Sequence, residues 1–364
     1  MTPSARYAQG VQAGQWQNDP LQLRVLQSLD RIHKQLQAPQ DKPGLLSRWL
    51  KRDDAMPGVQ GLYLYGGVGR GKTFLVDLLY DQVQGVPKQR THFHRFMREI
   101  HNQLRLHTGE SDPLVPVAKD IAARARLLVL DEFFVQDIGD AMLLGRLLRV
   151  LFEQGVTLVT TSNIEPDGLY KDGLQRDSFL PAIAALKAHC EIFYLDSDTD
   201  YRLRALTQSP VYRAPLDAGS DRWMEQRFSE LTGGKDFKSS PLRINDREIP
   251  VRRHADGVIW CDFSALCEGP RSPSDYIEVA TEFHTVMCGN VPMFDGSNDD
   301  AGRRFVYLID ELYDRHVNFV CTADAVPTEL CRSAKLAMPF ERTASRLIEM
   351  QSAEFLSREH HALV

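Results

Sequence analysis

No stretch of this sequence approaches the roughly 18 consecutive apolar residues that a membrane-spanning helix requires. The opening Met1-Thr2-Pro3-Ser4-Ala5-Arg6-Tyr7 has neither the apolar centre of a secretory signal nor the Arg- and Ser-rich character of an organelle import arm, so the expected location is the cytoplasm. The six cysteines, at 190, 261, 267, 288, 321 and 331, include no Cys-x-x-Cys pair and no His spacing that completes a zinc site; they read as reduced core thiols. Basic charge is lacking as well: 43 Lys and Arg face 49 Asp and Glu, and the resulting formal charge of -6 makes no case for nucleic acid. Internal repeats and low-complexity tracts are absent.

What is present is an ordinary globular composition over 364 residues, enough for one large α/β domain and a smaller companion. Asn18-Asp19-Pro20 places a capping side chain before a first-turn proline. Leu21, Leu23, Val25, Leu26, Leu29, Ile32 and Leu36 follow at helical spacing, so a helix is expected over 15–38. Short apolar runs at 61–65, 91–96, 127–130, 157–161 and 191–195 read as strands, with helical stretches such as 74–80, 140–154 and 181–188 between them. That alternation predicts a parallel sheet covered by helices on both faces.

Past residue 200 the pattern changes. The run 242–251 reads as a hairpin turning at Asn245-Asp246, followed by strands at 258–263, near Val286 and at 317–321, and helices at about 299–315 and 341–356. The expected organisation is an N-terminal helical segment (1–60), an α/β core (61–205), a linker with the hairpin insertion (206–257) and a smaller α/β unit (258–364). His92 and His94 could share one side of a strand and ligate a metal, but two histidines without a third ligand are more simply structural.

The chemistry lies in Gly66-Gly67-Val68-Gly69-Arg70-Gly71-Lys72-Thr73, a Gly-x4-Gly-Lys-Thr pattern between a strand and a helix. Its glycines let backbone N–H groups close around phosphates, the helix presents its positive end, Lys72 reaches the β and γ phosphates, and the Thr73 hydroxyl takes a Mg²⁺ position. The apolar strand before Asp131-Glu132 ends in two carboxylates, Asp131 suited to Mg²⁺ and Glu132 to polarising an attacking water. An adjacent glutamate favours a hydrolase over a small-molecule kinase. Asn163, at the end of Thr160-Thr161-Ser162-Asn163, is placed to sense a γ-phosphate, although a turn role for asparagine is the plain alternative.

Arg176 could reach a neighbouring subunit's phosphate, or simply pair with Asp177. Arg342 and Arg346, four apart on the terminal helix, offer a second sensor or a solvated face. Asp310-Glu311 imitates a strand-end acid pair, but the spacing of Phe305, Leu308, Ile309 and Leu312 is helical, and no second glycine loop exists to serve it.

Together these residues resemble the AAA+ division of P-loop ATPases, and within it the AFG-type (lactation-elevated) family, over nearly the whole chain. The most specific stretches are 61–73, His92-Phe93-His94-Arg95-Phe96-Met97, Leu130-Asp131-Glu132-Phe133, the segment from Asp167-Gly168-Leu169-Tyr170 to Asp200-Tyr201-Arg202, and two later ones, 303–314 and 341–347. The resemblance implies an ATP- and Mg²⁺-dependent hydrolase that forms homo-oligomers with shared sites. It further implies association with the bacterial division ring through the tubulin-like protein FtsZ, on the inner face of the inner membrane with peripheral membrane association. It suggests Arg176 as the finger that completes a neighbour's site and supports Asn163 as sensor. Two other readings stand beside it: a nucleotide-gated adaptor with negligible turnover, and a DNA-linked loader using Arg243, Arg247, Arg252 and Arg253, the last ranked because the chain is acidic.

Overall fold

The structure, a computed structural model, describes residues 1–14, 16, 18–38, 58–67, 70–107, 112–196, 206, 209–233, 239–245, 247–255, 257–358 and 360. They form two compact units, Met1–Thr199 and Asp200–Val364.

The first unit opens with α1 (Pro3–Gln12), capped by Thr2, and α2 (Pro20–Gln37), where Asp19 Oδ1 accepts from the Leu21 amide at 2.8 Å. Five strands follow: β1 (Gly61–Tyr65), β2 (Lys88–His92), β3 (Leu127–Asp131), β4 (Thr157–Ser162) and β5 (Cys190–Tyr194). They pair in parallel in the order β2-β3-β4-β1-β5. The connections are α3 (Lys72–Gln82), α4 (Phe93–Leu106), α5 (Leu114–Arg124), α6 (Ile138–Glu153) and α7 (Leu180–His189).

Because side chains alternate along a strand, each sheet face builds its own core. Leu62, Leu64, Leu127 and Val129 pack with Leu75, Val76 and Leu79 of α3 and with α2, whereas Tyr63, Leu128 and Leu130 pack with α4 to α7. The carboxyl ends of the strands, His92, Asp131, Ser162 and Tyr65, therefore come together along one edge of the sheet.

One expected strand is corrected. The run 91–96 is not extended throughout: β2 ends at His92, and α4 begins at Phe93. Phe93, Phe96, Met97 and Ile100 recur at helical spacing and are all buried, so the core outweighs the strand preference of the aromatics. His92 and His94 thus lie on different elements, their ring centroids 6.1 Å apart.

The second unit carries a separate sheet in the order β6-β12-β11-β10-β9. Its strands are β6 (Tyr212–Arg213), β9 (Arg253–Ala255), β10 (Val258–Asp262), β11 (Thr285–Val291) and β12 (Asn318–Ala323), all parallel except β9. Helix α8 (Ser220–Thr232) packs on it, while α9 (Pro273–Glu282) packs against α10 (Asp299–Asp314), which itself meets β12. The hairpin β7 (Leu242–Ile244) and β8 (Arg247–Ile249) turns through Asn245 at φ +44°, while Asp246 lies outside the described residues. Leu242, Ile244 and Ile249 are members of this unit's core.

Asp310 and Glu311 sit within α10, as their period requires. The expected terminal helix is two pieces, α11 (Ala337–Glu349) and α12 (Ala353–Ser357): the chain breaks so that Ser352 can cap the second, its hydroxyl accepting from the Phe355 amide at 3.1 Å. All six cysteines are free thiols, and burial pushes that of Cys190 up to about 12. No helix among the described residues is long and apolar enough to cross a membrane.

Candidate nucleotide site

The turn out of β1 demands glycine twice. Gly66 has φ +150°, and a Cβ there would lie 2.4 Å from the Leu195 carbonyl oxygen. Gly71, at φ +86°, is the N-cap of α3 and supplies no side chain to cap it, so the first-turn N–H groups of α3 point out at the strand ends. Val68 and Gly69 lie outside the described residues. Arg70, partly exposed, lies across Gly67, whose Cβ would meet its Nε at 3.3 Å.

Lys72 is 8% exposed, and its ammonium is engaged by oxygens: Nζ donates to the carbonyls of Gly66 and Gly67, each at 2.7 Å, and to Asn163 Oδ1 at 2.9 Å. A buried ammonium needs such acceptors. The contact joins the glycine loop to the end of β4 across 91 residues of chain, with Asn163 itself exposed at the site's mouth. Phosphate oxygens arriving at the loop would take over the acceptor role that the two carbonyls and the amide now fill.

Asp131 ends β3 at 5% exposure. Thr161 in β4 braces this corner: its hydroxyl lies 3.4 Å from Asp131 Oδ1 and accepts from the Glu132 amide at 3.1 Å. Phe133 N–H then donates to the Thr161 carbonyl at 2.7 Å. Held on both sides, Glu132 adopts φ +54°, a conformation that costs a side-chain-bearing residue free energy, and its half-exposed carboxylate turns out of the sheet. His92 Nδ1 lies 3.7 Å from Glu132 Oε2. His94, in the first turn of α4, has its pKa lowered to about 4 by burial and by the neighbouring His92 and Arg98, so it is neutral at neutral pH.

Two residues here went unnoticed in the sequence. Arg90 of β2 donates from Nε to Asp131 Oδ2 at 2.7 Å and pairs through Nη1 with Asp77 of α3. Burial works against its charge, but Asp131 and Asp77 outweigh burial and raise its pKa. Arg90 thereby ties Asp131 to the helix that carries Thr73. A charged residue alternating with Lys88 and His92 in a strand was the available signal.

An alcohol and a carboxylate are the hard oxygen donors that Mg²⁺ accepts, and the buried, doubly braced Asp131 beside the start of α3 fits that ion. The structure brings Gly66, Gly67, Lys72 and Asn163 into direct contact, with Thr73, Asp131 and Glu132 on the adjoining elements.

Two predicted residues have partners of their own. Arg176 begins a 3₁₀ turn, Arg176–Ser178, on the loop between β4 and α7, partly exposed, where Nη2 donates to the Asp167 carbonyl. Arg346 belongs to the second unit, where it pairs with Asp310 at 2.6 Å and Asp314 at 3.1 Å and stacks over Tyr313. Arg342 shares Asp310 with it. Three hairpin-region arginines are also committed to carboxylates: Arg247 to Asp275, Arg252 to Asp262 and Asp221, and Arg253 to Glu225.

A model of the AFG1-like ATPase family matches residues 1–359. Cell division protein ZapE of Escherichia coli K12 is 43% identical over an alignment covering 100% of this chain and 99% of that protein. Lactation elevated protein 1 homolog B of Danio rerio is 35% identical over 81% of this chain and 68% of its own. Uncharacterized protein C115.02c of Schizosaccharomyces pombe is 31% identical over 92% of this chain and 81% of its own. The crystal structure of DnaI overlays on 49% of this chain and 87% of its own at 16% identity and a TM-score of 0.35, too low to add to the family match.

Proposed function

The chain belongs to the AFG1-like ATPase family and is an ATPase, and from that premise we propose that it hydrolyses Mg²⁺-bound ATP as a homo-oligomer and uses the cycle to remodel FtsZ polymers at the bacterial division ring. The division role is supported by full-length similarity to a protein named for cell division, and the FtsZ partner by the family resemblance. The observation that carries the reaction is the Lys72 ammonium, held between the glycine loop and Asn163 beside the Asp131-Glu132 corner.

In this reading the α3 N-terminus and loop amides bind the phosphates, and Lys72 exchanges its carbonyl partners for β- and γ-phosphate oxygens. Thr73 and Asp131 would hold the metal, which when bound would neutralise charge building on the phosphates. Glu132 orients and deprotonates the attacking water, and Asn163 links the γ-phosphate position to β4. Arg176, on its partly exposed loop, serves a neighbouring subunit's phosphate. Arg346, paired with Asp310 and Asp314, would exchange those carboxylates for a phosphate in acting as the second sensor. The protein works in the cytoplasm, at the inner face of the inner membrane, to which it associates peripherally. A nucleic-acid role gains little from arginines that are already ion-paired.

The test is ATP turnover by the purified chain over a range of its own concentration, with and without FtsZ polymers, beside three variants. Lys72→Ala should abolish ATP binding. Glu132→Gln should retain binding but lose turnover by about 10²-fold or more, and Arg176→Ala should fail only in the assembled state. Measurable binding with no turnover under any condition would favour the nucleotide-gated adaptor instead.

A further inference from the structure

β2 is an edge strand, and its register sets Arg90 opposite Val129 and His92 opposite Asp131. Val129 belongs to the core beneath α3, so Arg90 projects into the layer between sheet and helix. There its guanidinium meets two carboxylates from different elements, Asp131 at the end of β3 and Asp77 in α3. Asp77 follows Thr73 by four residues, one turn deeper on the same helix face. Both carboxylate side chains are only 8% exposed. Two buried carboxylates this close to the proposed metal position would by themselves attract a divalent cation, because they are hard oxygen ligands with charge to neutralise.

We propose that Arg90 is a positioning residue for the metal: it orients Asp131 and, by engaging Asp77 and Asp131 together, keeps a divalent cation out until nucleotide arrives. The inference rests on the Mg²⁺-bound ATP reading given above. With the guanidinium in place its positive charge opposes a second cation at both carboxylates, and the ion enters only with the oxygens of the triphosphate. Without it, two adjacent charges face the same space. The device orders binding, nucleotide and metal together, through an internal cation that never leaves the protein.

Mn²⁺ serves as a paramagnetic probe of the Mg²⁺ position, its binding to the full chain followed by electron paramagnetic resonance with and without ATP. Wild type should bind it appreciably only when ATP is present. Arg90→Met should bind Mn²⁺ without nucleotide at least tenfold more tightly than wild type, and adding Asp77→Asn should reverse that gain. A folded Arg90→Met with wild-type affinity for Mn²⁺ in the absence of nucleotide overturns the inference. Should Arg90→Met not fold, the near-isosteric Asp77→Asn decides alone. It leaves the whole guanidinium charge to Asp131, so Mn²⁺ affinity in the presence of ATP should fall at least threefold, and no change overturns the inference. Wild type that binds no Mn²⁺ even with ATP sinks the metal reading itself, and the inference with it.

Discussion

Both units end a parallel strand in an aspartate that an arginine grips at the same distance, yet the two corners are built differently. In the first unit Arg90 Nε reaches Asp131 at 2.7 Å; in the second, Arg252 Nε reaches Asp262 at 2.7 Å. The side chains differ in burial, Asp131 at 8% exposure against Asp262 at 29%. They differ more in what surrounds them. Asp262 also accepts from Asn290 at 3.1 Å and Arg252 also pairs with Asp221 at 3.1 Å, where the first corner has Thr161 beside Asp131 and Asp77 on Arg90. Beside Asp131 stands a glycine loop whose helix presents uncapped N–H groups. Parallel strand ends offer positions for function, and the loops that follow the strands decide whether they are used.

Asn substitutions at the two aspartates test that contrast most directly. Asp131→Asn should lower ATP turnover by about 10²-fold, the upper range for removing a group that steers a metal, while Asp262→Asn should leave it within about twofold, since a partly exposed ion pair is worth about 1 kcal/mol or less. Equal losses in steady-state assays would dissolve the distinction between the corners.

A second difference is a pH response that belongs to the first unit. The value near 4 for folded His94 lies below the 6.5 of an unfolded histidine, so the folded state binds fewer protons. Its contribution is complete above pH 6.5 and is lost as pH falls toward 4. For a partly buried ring the loss should amount to about 2 kcal/mol, and denaturant unfolding of His94→Asn should show a flatter profile across that window.

Asn163→Ala should reduce turnover about tenfold while ATP affinity changes less, as expected from losing one hydrogen bond of about 1.4 kcal/mol in the reacting complex. An unchanged kcat would reduce Asn163 to a turn residue. The smallest effect is expected in the second unit: Arg342, 60% exposed in its pair with Asp310, should cost no more than about 0.5 kcal/mol on truncation to alanine, measured by thermal unfolding.

The sequence was most readable where the requirement is local. The glycine loop, the capped start of α2 and the apolar run into Asp131-Glu132 each depend on residues within one short window. Boundaries were less readable. The strand expected over 91–96 mixed the end of β2 with the start of α4, because aromatics suit a strand as well as a buried helix face. Helix α1 was missed altogether, although Thr2 before Pro3 carries a capping signal. In the tail, apolar spacing alone did not reveal that Ser352 would cap a new helix.

Arg90 shows the other limit. Its partners Asp77 and Asp131 lie 13 and 41 residues away, and nothing in those intervals says that the second strand borders the third or that α3 covers both. The amino-acid sequence by itself determined the glycine loop, the acidic strand end and the alternation of apolar segments, because backbone conformation and side-chain period act between near neighbours. Tertiary structure alone decided that Lys72 would meet Asn163 and that one arginine would hold two carboxylates, because those contacts exist only once strand order, register and helix packing have set distant residues side by side.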